Sequence, residues 1–515
     1  METANETKAM KPKNLIFICT DQMRFDALSA TGNKVVRTEN IDRIASEGIT
    51  LRRHHTPNQI CSPSRASMAT GLYPRHHGLW RNGVTLDPDL PNLWTLLSQA
   101  GYETHAVGKL HYQPLLASSS LNMPESIAFW DRPDAQRWSG PYYGFREVEL
   151  VMGEANESVK AGHYAAWLKA HHPEAVRLYE PEASANGRAA DLTEVWKSAV
   201  PQELHYTSWI AGRAVDFIRE ASANAPFCLY VSFPDPHHPF APPAPYSDLF
   251  DPAEMPRPNA RAGELDRMPS YLQIGDDPTK DAYIGDGQAV REQGFLLRTD
   301  SISERTMATA IAHTFGMIKM IDDCVGRILD ALEQAGKSGD TYILFTSDHG
   351  ELLGDHGLLR KGPPPYRQLL QVPLLVRGPK IPRGAVTDEL TSHIDLFATF
   401  ASLLVGEKPA SDGMDLTPLL TGLPGFSRDY LFAEYHPRKD AELYNQTIVS
   451  KDWRFTRYPN RGEWGELFDL ASDPFEHRNL FYDDGHDTPV RDLDDVLSRH
   501  MPPRPEIPNE VLGAY

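Results

Sequence analysis

The chain has 515 residues, of which 70 are acidic and 51 basic, so it carries a formal charge of −19. That excess argues against nucleic acid as a partner, and an anionic ligand would need cations concentrated at one place. The 41% hydrophobic and 23% charged shares are ordinary for a globular protein, no run reaches the roughly 18 apolar residues of a membrane-spanning helix, and the length exceeds the about 250 to 300 residues one core holds, which predicts two lobes.

The segment Met1 to Lys13 is polar, and the apolar run Leu15 to Cys19 is too short for a signal peptide, so a cytoplasmic location is the expectation. Four cysteines, Cys19, Cys61, Cys228 and Cys324, lie scattered without metal-type spacing, and no disulfide is expected. Residues 14–20 read as a buried parallel strand that ends in Asp21-Gln22. Ligands in α/β proteins collect at the carboxyl ends of such strands, which makes Asp21 and Gln22 candidate metal ligands. Gln22 can offer an amide oxygen to a hard cation but brings no charge. A short helix over 40–47 stops at Gly48.

The stretch Cys61-Ser62-Pro63-Ser64-Arg65, followed by Thr70-Gly71, organises the chain. Pro63 suits the first turn of a helix, with Ser62 or Ser64 available to cap the free amides. Cys61 is therefore placed at a helix N-terminus, where dipole and unpaired N–H groups favour an anion, and Arg65 adds a cation one turn on. Asn82 falls in a loop, where an Asn-Gly turn is the plain reading, and residues 92–100 form a helix closed by Gly101. In the run from Gly101 to His111, Lys109 and His111 sit two apart, so on a strand both face one side.

Residues 112–200 read as an inserted surface region with short amphipathic helices such as 163–171. A helix over 206–221 leads to the strand Phe227 to Phe233, which ends in Pro236-His237-His238-Pro239; the prolines hold the backbone extended and fix the direction of His237. Residues 241–305 are too long for a passive connection and suit a lid or an oligomer contact. A long helix over 304–335 precedes the strand Thr341 to Ser347, which ends in Asp348-His349-Gly350-Glu351. Lys361 closes the next motif, Gly354 to Lys361. A further strand covers 372–377, a helix 393–404, and short strands follow at 430–435, 445–450, 453–458 and 465–470. The last 25 residues suit an arm that packs on a neighbouring copy in a homo-oligomer.

Five of these motifs, taken together and in order, resemble those of the type I sulfatases: Cys-x-Pro-Ser-Arg, Gly-Tyr-x-Thr-x-x-x-Gly-Lys-x-His, Pro-His-x-Pro, Asp348-His349 and the Lys361 motif. The resemblance implies an α/β fold like the alkaline phosphatase superfamily, a large mostly parallel sheet sandwiched by helices. The catalytic domain would span 1–424, with insertions at 112–200 and 241–305, and a smaller antiparallel α+β subdomain and tail would span 425–515. It implies that Cys61 is oxidised by a formylglycine-generating enzyme to Cα-formylglycine, whose hydrate, close to Arg65, attacks sulfur. By the same resemblance Asp21, Gln22, Asp348 and His349 bind Ca2+, with Mn2+ the alternative, Lys109 and Lys361 hold the sulfate, and Asn82 contacts substrate. His237 serves as acid and binds substrate, and His111 serves as base. The substrate implied is an aryl, alkyl or saccharide sulfate monoester. Gln22 and His349 depart from the usual pairs toward the phosphonate monoester or phosphodiester hydrolases of the same superfamily, which is the alternative function. An inactive protein that binds sulfated ligands is the remote one.

Overall fold

The computed structural model describes residues 13–222, 224–272, 296–437, 443–503 and 511–513. An eight-stranded sheet in the order β10-β2-β9-β7-β1-β5-β3-β4 forms the centre. Its strands are β1 (Asn14–Thr20), β2 (Ile49–His55), β3 (Glu103–Gly108), β4 (Glu147–Leu150), β5 (Phe227–Phe233), β7 (Thr341–Ser347), β9 (Leu374–Arg377) and β10 (Ala385–Ser392). Only β9 runs against the others.

The strand alternation divides the interior into two cores. Ile16 and Ile18 of β1 face one side, where helices Tyr206–Glu220 and Glu304–Gln334 pack, whereas Leu15, Phe17 and Cys19 face the other, with helices α2 (Cys61–Thr70), Leu93–Gln99 and Asp395–Val405. Burying both faces of β1 explains why its sequence is a continuous apolar run.

A short antiparallel ribbon, β6 (Leu296–Arg298) on β8 (Leu358–Arg360), stands beside the sheet and carries Lys361 at its end. A second sheet contains β11 (Leu431–Tyr435), β12 (Asn445–Val449), β13 (Trp453–Arg457) and β14 (Gly465–Asp469), all antiparallel.

Three expectations need correction. The region 112–200 is more than a surface insertion, because β4 inside it pairs with β3 and forms an edge of the main sheet. Lys109 and His111 do not share a strand face, because β3 ends at Gly108 and His111 has φ 63°. The described part of the tail packs on its own chain: Leu493 and Leu497 of helix Asp487–His500 sit against Ile448, Phe455 and Leu467, and Leu512 N donates to Gly83 O at 2.9 Å. Residues 1–12, 273–295 of the expected lid, and 504–510 and 514–515 of the expected arm lie outside the described residues.

Among the described residues no helix is long and apolar enough to cross a membrane. All four cysteines are buried and free.

Candidate active site

Four adjacent strands, β7, β1, β5 and β3, deliver their carboxyl ends to one place. Backbone bonds tie these ends together: Asp348 N donates to Thr20 O, Asp21 N to Asp235 O, and Lys109 N to Ser232 O. Gly108 makes the last contact possible, since a Cβ there would lie 1.8 Å from Ser232 O and the residue has φ +106°.

Helix α2 begins at Cys61 with Ile60 extended before it. Neither Ser62 nor Ser64 caps it. Asn82 Oδ1 accepts Ser62 N at 3.2 Å and Asn58 Oδ1 accepts Ile60 N at 2.8 Å, while the Ser64 hydroxyl donates to Asp348 O. Asn82, expected at the substrate, is thus engaged at the start of the helix.

The Cys61 thiol lies 2.9 Å from Lys361 Nζ, 3.2 Å from His349 Nε2 and 3.7 Å from Asp21 Oδ1, at 1% exposure. Burial, then the Asp21 carboxylate, pushes it up to about 12. It is a thiol at neutral pH and a poor nucleophile as it stands.

Around it converge the residues expected to hold a metal. The ligand atoms of Asp21, Cys61, Asp348 and His349 lie within 4.8 Å of one another, all buried. His349 Nδ1 donates to Gly350 O at 2.9 Å, which leaves the Nε2 lone pair facing Cys61, and burial lowers this imidazole to about 4, so it stays neutral. Gln22 adopts φ 66° and gives its N–H to Asp348 Oδ1 at 3.0 Å. Its Nε2 is taken by His238 and Glu351, yet its buried Oε1 has no hydrogen-bond partner among the described residues. Two carboxylates, an imidazole nitrogen with its lone pair turned inward and an orphaned amide oxygen fit a divalent cation.

Cations already line the carboxylates. Arg65 Nε reaches Asp348 at 2.8 Å, its NH2 reaches Asp21 at 3.2 Å, and its NH1 bonds Lys109 O and Ser232 Oγ, both at 2.8 Å. Lys109 Nζ lies 2.7 Å from Asp21 and also contacts Glu154. Burial alone would raise Asp21, but the cations Lys109, Arg65 and Lys361 hold it well below the usual carboxylate range.

Lys361 Nζ is also 3.1 Å from His237 Nε2 and 3.0 Å from His349 Nε2. His237 Nδ1 is fixed by His238 O, which turns Nε2 into the site. Burial, His238 and Lys361 keep His237 well below the ordinary imidazole range. His111 is buried too, and desolvation with Lys109 and Arg65 lowers it in the same way. Arg65, Lys109 and Lys361 thus share a buried cluster with Asp21, Asp348 and Glu154, and burial keeps the imidazoles of His237 and His111 neutral.

Sequence reasoning missed the residues that support these groups. Glu125 accepts the N–H groups of His111 and Gln113 at 2.9 and 3.0 Å, and burial raises it to about 7. Glu154 pairs with Lys109, and Glu351 with Gln22. His393 Nε2 reaches Ser347 O at 3.0 Å and passes the contact to His54 at 2.9 Å. Glu125 and Glu154 lie in the stretch without motifs, and no local pattern marks them; Glu351 at least follows Asp348-His349-Gly350 directly.

The family model described as Sulfatase matches residues 13–407, and one described as N-sulphoglucosamine sulphohydrolase, C-terminal, matches 354–501. The chain is 29% identical over 517 residues to an arylsulfatase of Clostridium perfringens, covering 98% of each. It is 30% identical to the multifunctional alkaline phosphatase superfamily protein PehA of Trinickia caryophylli, covering 94% of each. Its structure superposes on the phosphonate monoester hydrolase of Agrobacterium radiobacter with a TM-score of 0.77 at 29% identity and 95% coverage of both.

Proposed function

The chain belongs to the sulfatase family, and from that premise we propose that it is a hydrolase of sulfate monoesters, aryl sulfates among them, that works through a formylglycine derived from Cys61. The observation that carries this is the convergence of Lys361, His349 and Asp21 on the Cys61 side chain, with Arg65 behind the carboxylates. Oxidation to the aldehyde by a formylglycine-generating enzyme fits a thiol that burial has made inert. At 1% exposure it is open to that enzyme only before the chain folds.

Asp21, Gln22, Asp348 and His349 would hold the metal, calcium for the oxygen donors, with manganese the alternative for the imidazole. When bound, the cation and the hydrated aldehyde together supply an acidified hydroxyl as nucleophile toward sulfur. Lys109 and Lys361 offset charge on the non-bridging oxygens of the ester. His237 Nε2 carries the proton for the departing oxygen; it is neutral in the free pocket, and an entering sulfate anion raises its proton affinity where it is needed. His111, neutral at physiological pH, accepts a proton from residue 61 in the return step. Asn82, bonded to the helix start at Ser62 N, is the proposed further contact to substrate. We place the catalytic domain at 1–424 and the small antiparallel subdomain with its tail at 425–515, a reading supported by the separate second sheet.

A second reading, hydrolysis of phosphonate monoesters or phosphodiesters, is favoured by Gln22 and His349 and by the likeness to the Agrobacterium enzyme. Lys109 and His111 in the pocket favour the sulfate ester. The test compares kcat/KM on an aryl sulfate and an aryl phosphonate monoester with converted enzyme and a Cys61→Ala control. A preference for the phosphonate overturns the first reading.

A further inference from the structure

Away from Cys61, three buried side chains from distant parts of the chain meet. Glu264 lies in the turn Glu264–Arg267, His356 in the loop before Lys361, and His477 just after β14. Their exposures are 8%, 1% and 6%, and their ligand atoms lie within 4.8 Å of one another. Glu264 Oε2 is 2.6 Å from His477 Nδ1 and 3.3 Å from His356 Nδ1.

The hydrogen bonding around them is not satisfied by these groups alone. His477 Nε2 faces Asn259 Oδ1 at 3.1 Å, an acceptor, so that nitrogen carries the ring proton. Nδ1 is then a lone pair set against a carboxylate oxygen at 2.6 Å, a contact that either a second ring proton or a metal ion satisfies. On the other ring, His356 Nε2 receives an N–H from Gln368 at 3.1 Å, while the buried Gln368 Oε1 has no partner among the described residues.

We infer that Glu264, His356 and His477 form a second divalent-metal site, suited to zinc, that clasps the loop carrying Lys361 to the turn at Glu264 and to the C-terminal sheet. An ion on both Nδ1 atoms resolves the conflict at His477. His477 keeps its Nε2–H bond to Asn259, and the Gln368 amide turns over to accept from His356 Nε2–H at the loss of its own N–H bond to Asp355 Oδ2, 3.2 Å away. Such an acceptor on the second nitrogen is how metal-bound imidazoles are oriented. Two imidazoles and one carboxylate suit zinc and leave a fourth position for water, whereas calcium calls for more oxygen donors. Asp355, beside His356, binds Arg24 at 2.8 Å and Asn259 N at 2.7 Å, so the ion sits where three segments are already tied together. Lys361 follows His356 by five residues.

The test uses the full chain with Cys61→Ala, which removes thiol binding at the other site, against the same chain carrying His356→Asn and His477→Asn. Both are stripped with chelator, dialysed against zinc and assayed for metal content and unfolding temperature, with cobalt as a spectroscopic probe. The expected result is one equivalent of zinc fewer in the triple variant, a zinc-dependent rise in Tm for Cys61→Ala only, and cobalt bands without sulfur charge transfer. Asn259→Ala, which removes only the orienting acceptor, is expected to weaken zinc binding about 10- to 100-fold. Glu264→Gln keeps the shape of the site should the double replacement fail to fold, and it too is expected to lose the equivalent. Equal zinc content in all variants, or a Tm in Cys61→Ala that ignores zinc, overturns the proposal and leaves a protonated His477 as the bridge.

Discussion

Arg65 Nε meets Asp348 Oδ2 at 2.8 Å with neither side chain exposed to solvent. The same guanidinium reaches Asp21, so one cation from α2 neutralises the carboxyl ends of two strands. Removing it leaves the buried Asp348 carboxylate without its cation and Asp21 with Lys109 alone, and breaking such a buried pair typically costs about 3–5 kcal/mol. Arg65→Ala is therefore expected to lower the unfolding temperature markedly as well as abolish turnover. Arg65→Lys keeps a charge but not the fork that also bonds Lys109 O and Ser232 Oγ, and should fold with kcat reduced about 10²-fold. An Arg65→Ala chain that unfolds at the parental temperature would contradict the neutralising role.

His237 Nε2 is the imidazole nitrogen turned into the pocket. If it delivers the leaving-group proton, the loss in His237→Gln depends on how much the leaving oxygen needs one. For an alkyl sulfate the expected fall in kcat is about 10²- to 10⁴-fold. For a nitrophenyl sulfate, whose phenolate departs unaided, it should be far smaller. Equal losses on both esters would assign His237 to binding alone.

The contrast between these residues and the ones that hold them shows what a sequence can and cannot carry. The strands β1, β5 and β7 were legible because burial on both faces writes a continuous apolar run. Asp21, His237 and Asp348 were legible because they stand where those runs stop. Their meeting in space follows from the parallel order β7-β1-β5-β3, which the alternation of strand and helix already implied. The end of β3 was misread, since no periodicity announces that the chain turns left-handed at His111. Glu125 and Glu154 escaped notice for a related reason. Each acts through one long-range contact, and an isolated glutamate in a proline-rich stretch looks like any solvated one.

Glu125 is the positioning residue that this misreading concealed. It accepts the N–H of His111, whose backbone is in the strained left-handed region, and that of Gln113. Glu125→Ala should lower kcat about 10- to 100-fold with little change in KM, because the base is displaced and no substrate contact is lost. As its carboxyl is raised to about 7, protonation removes an acceptor lone pair as pH falls through neutrality. Wild-type kcat is expected to decline there, and Glu125→Gln to be low and flat across the same range. A Glu125→Gln profile that keeps the wild-type inflection would place its origin elsewhere.

Acid should destabilise the protein well before its carboxylates titrate. Burial lowers His55, His77 and His205 to about 3 and His393 to about 4, and holds His54 well below the ordinary range. In the unfolded chain each titrates near about 6.5. Below that pH the unfolded state binds protons that the native state refuses, so stability present above about 6.5 is lost as pH falls, on the order of 1 kcal/mol per group per pH unit. Asp235 and Glu125, raised to about 6 and about 7, act in the opposite sense, as do Asp322 and Glu351, which burial also raises, but the histidines lowered by burial, His111, His237, His238 and His349 among them, outnumber these carboxyls. The unfolding temperature is expected to drop steeply between about pH 7 and about pH 5. Replacing His54 and His393 together with Gln, which keeps polar contacts between Thr391 and Ser347 O but cannot gain a proton, should flatten that slope. A double variant with the parental slope would show that the pair is not among the groups driving it.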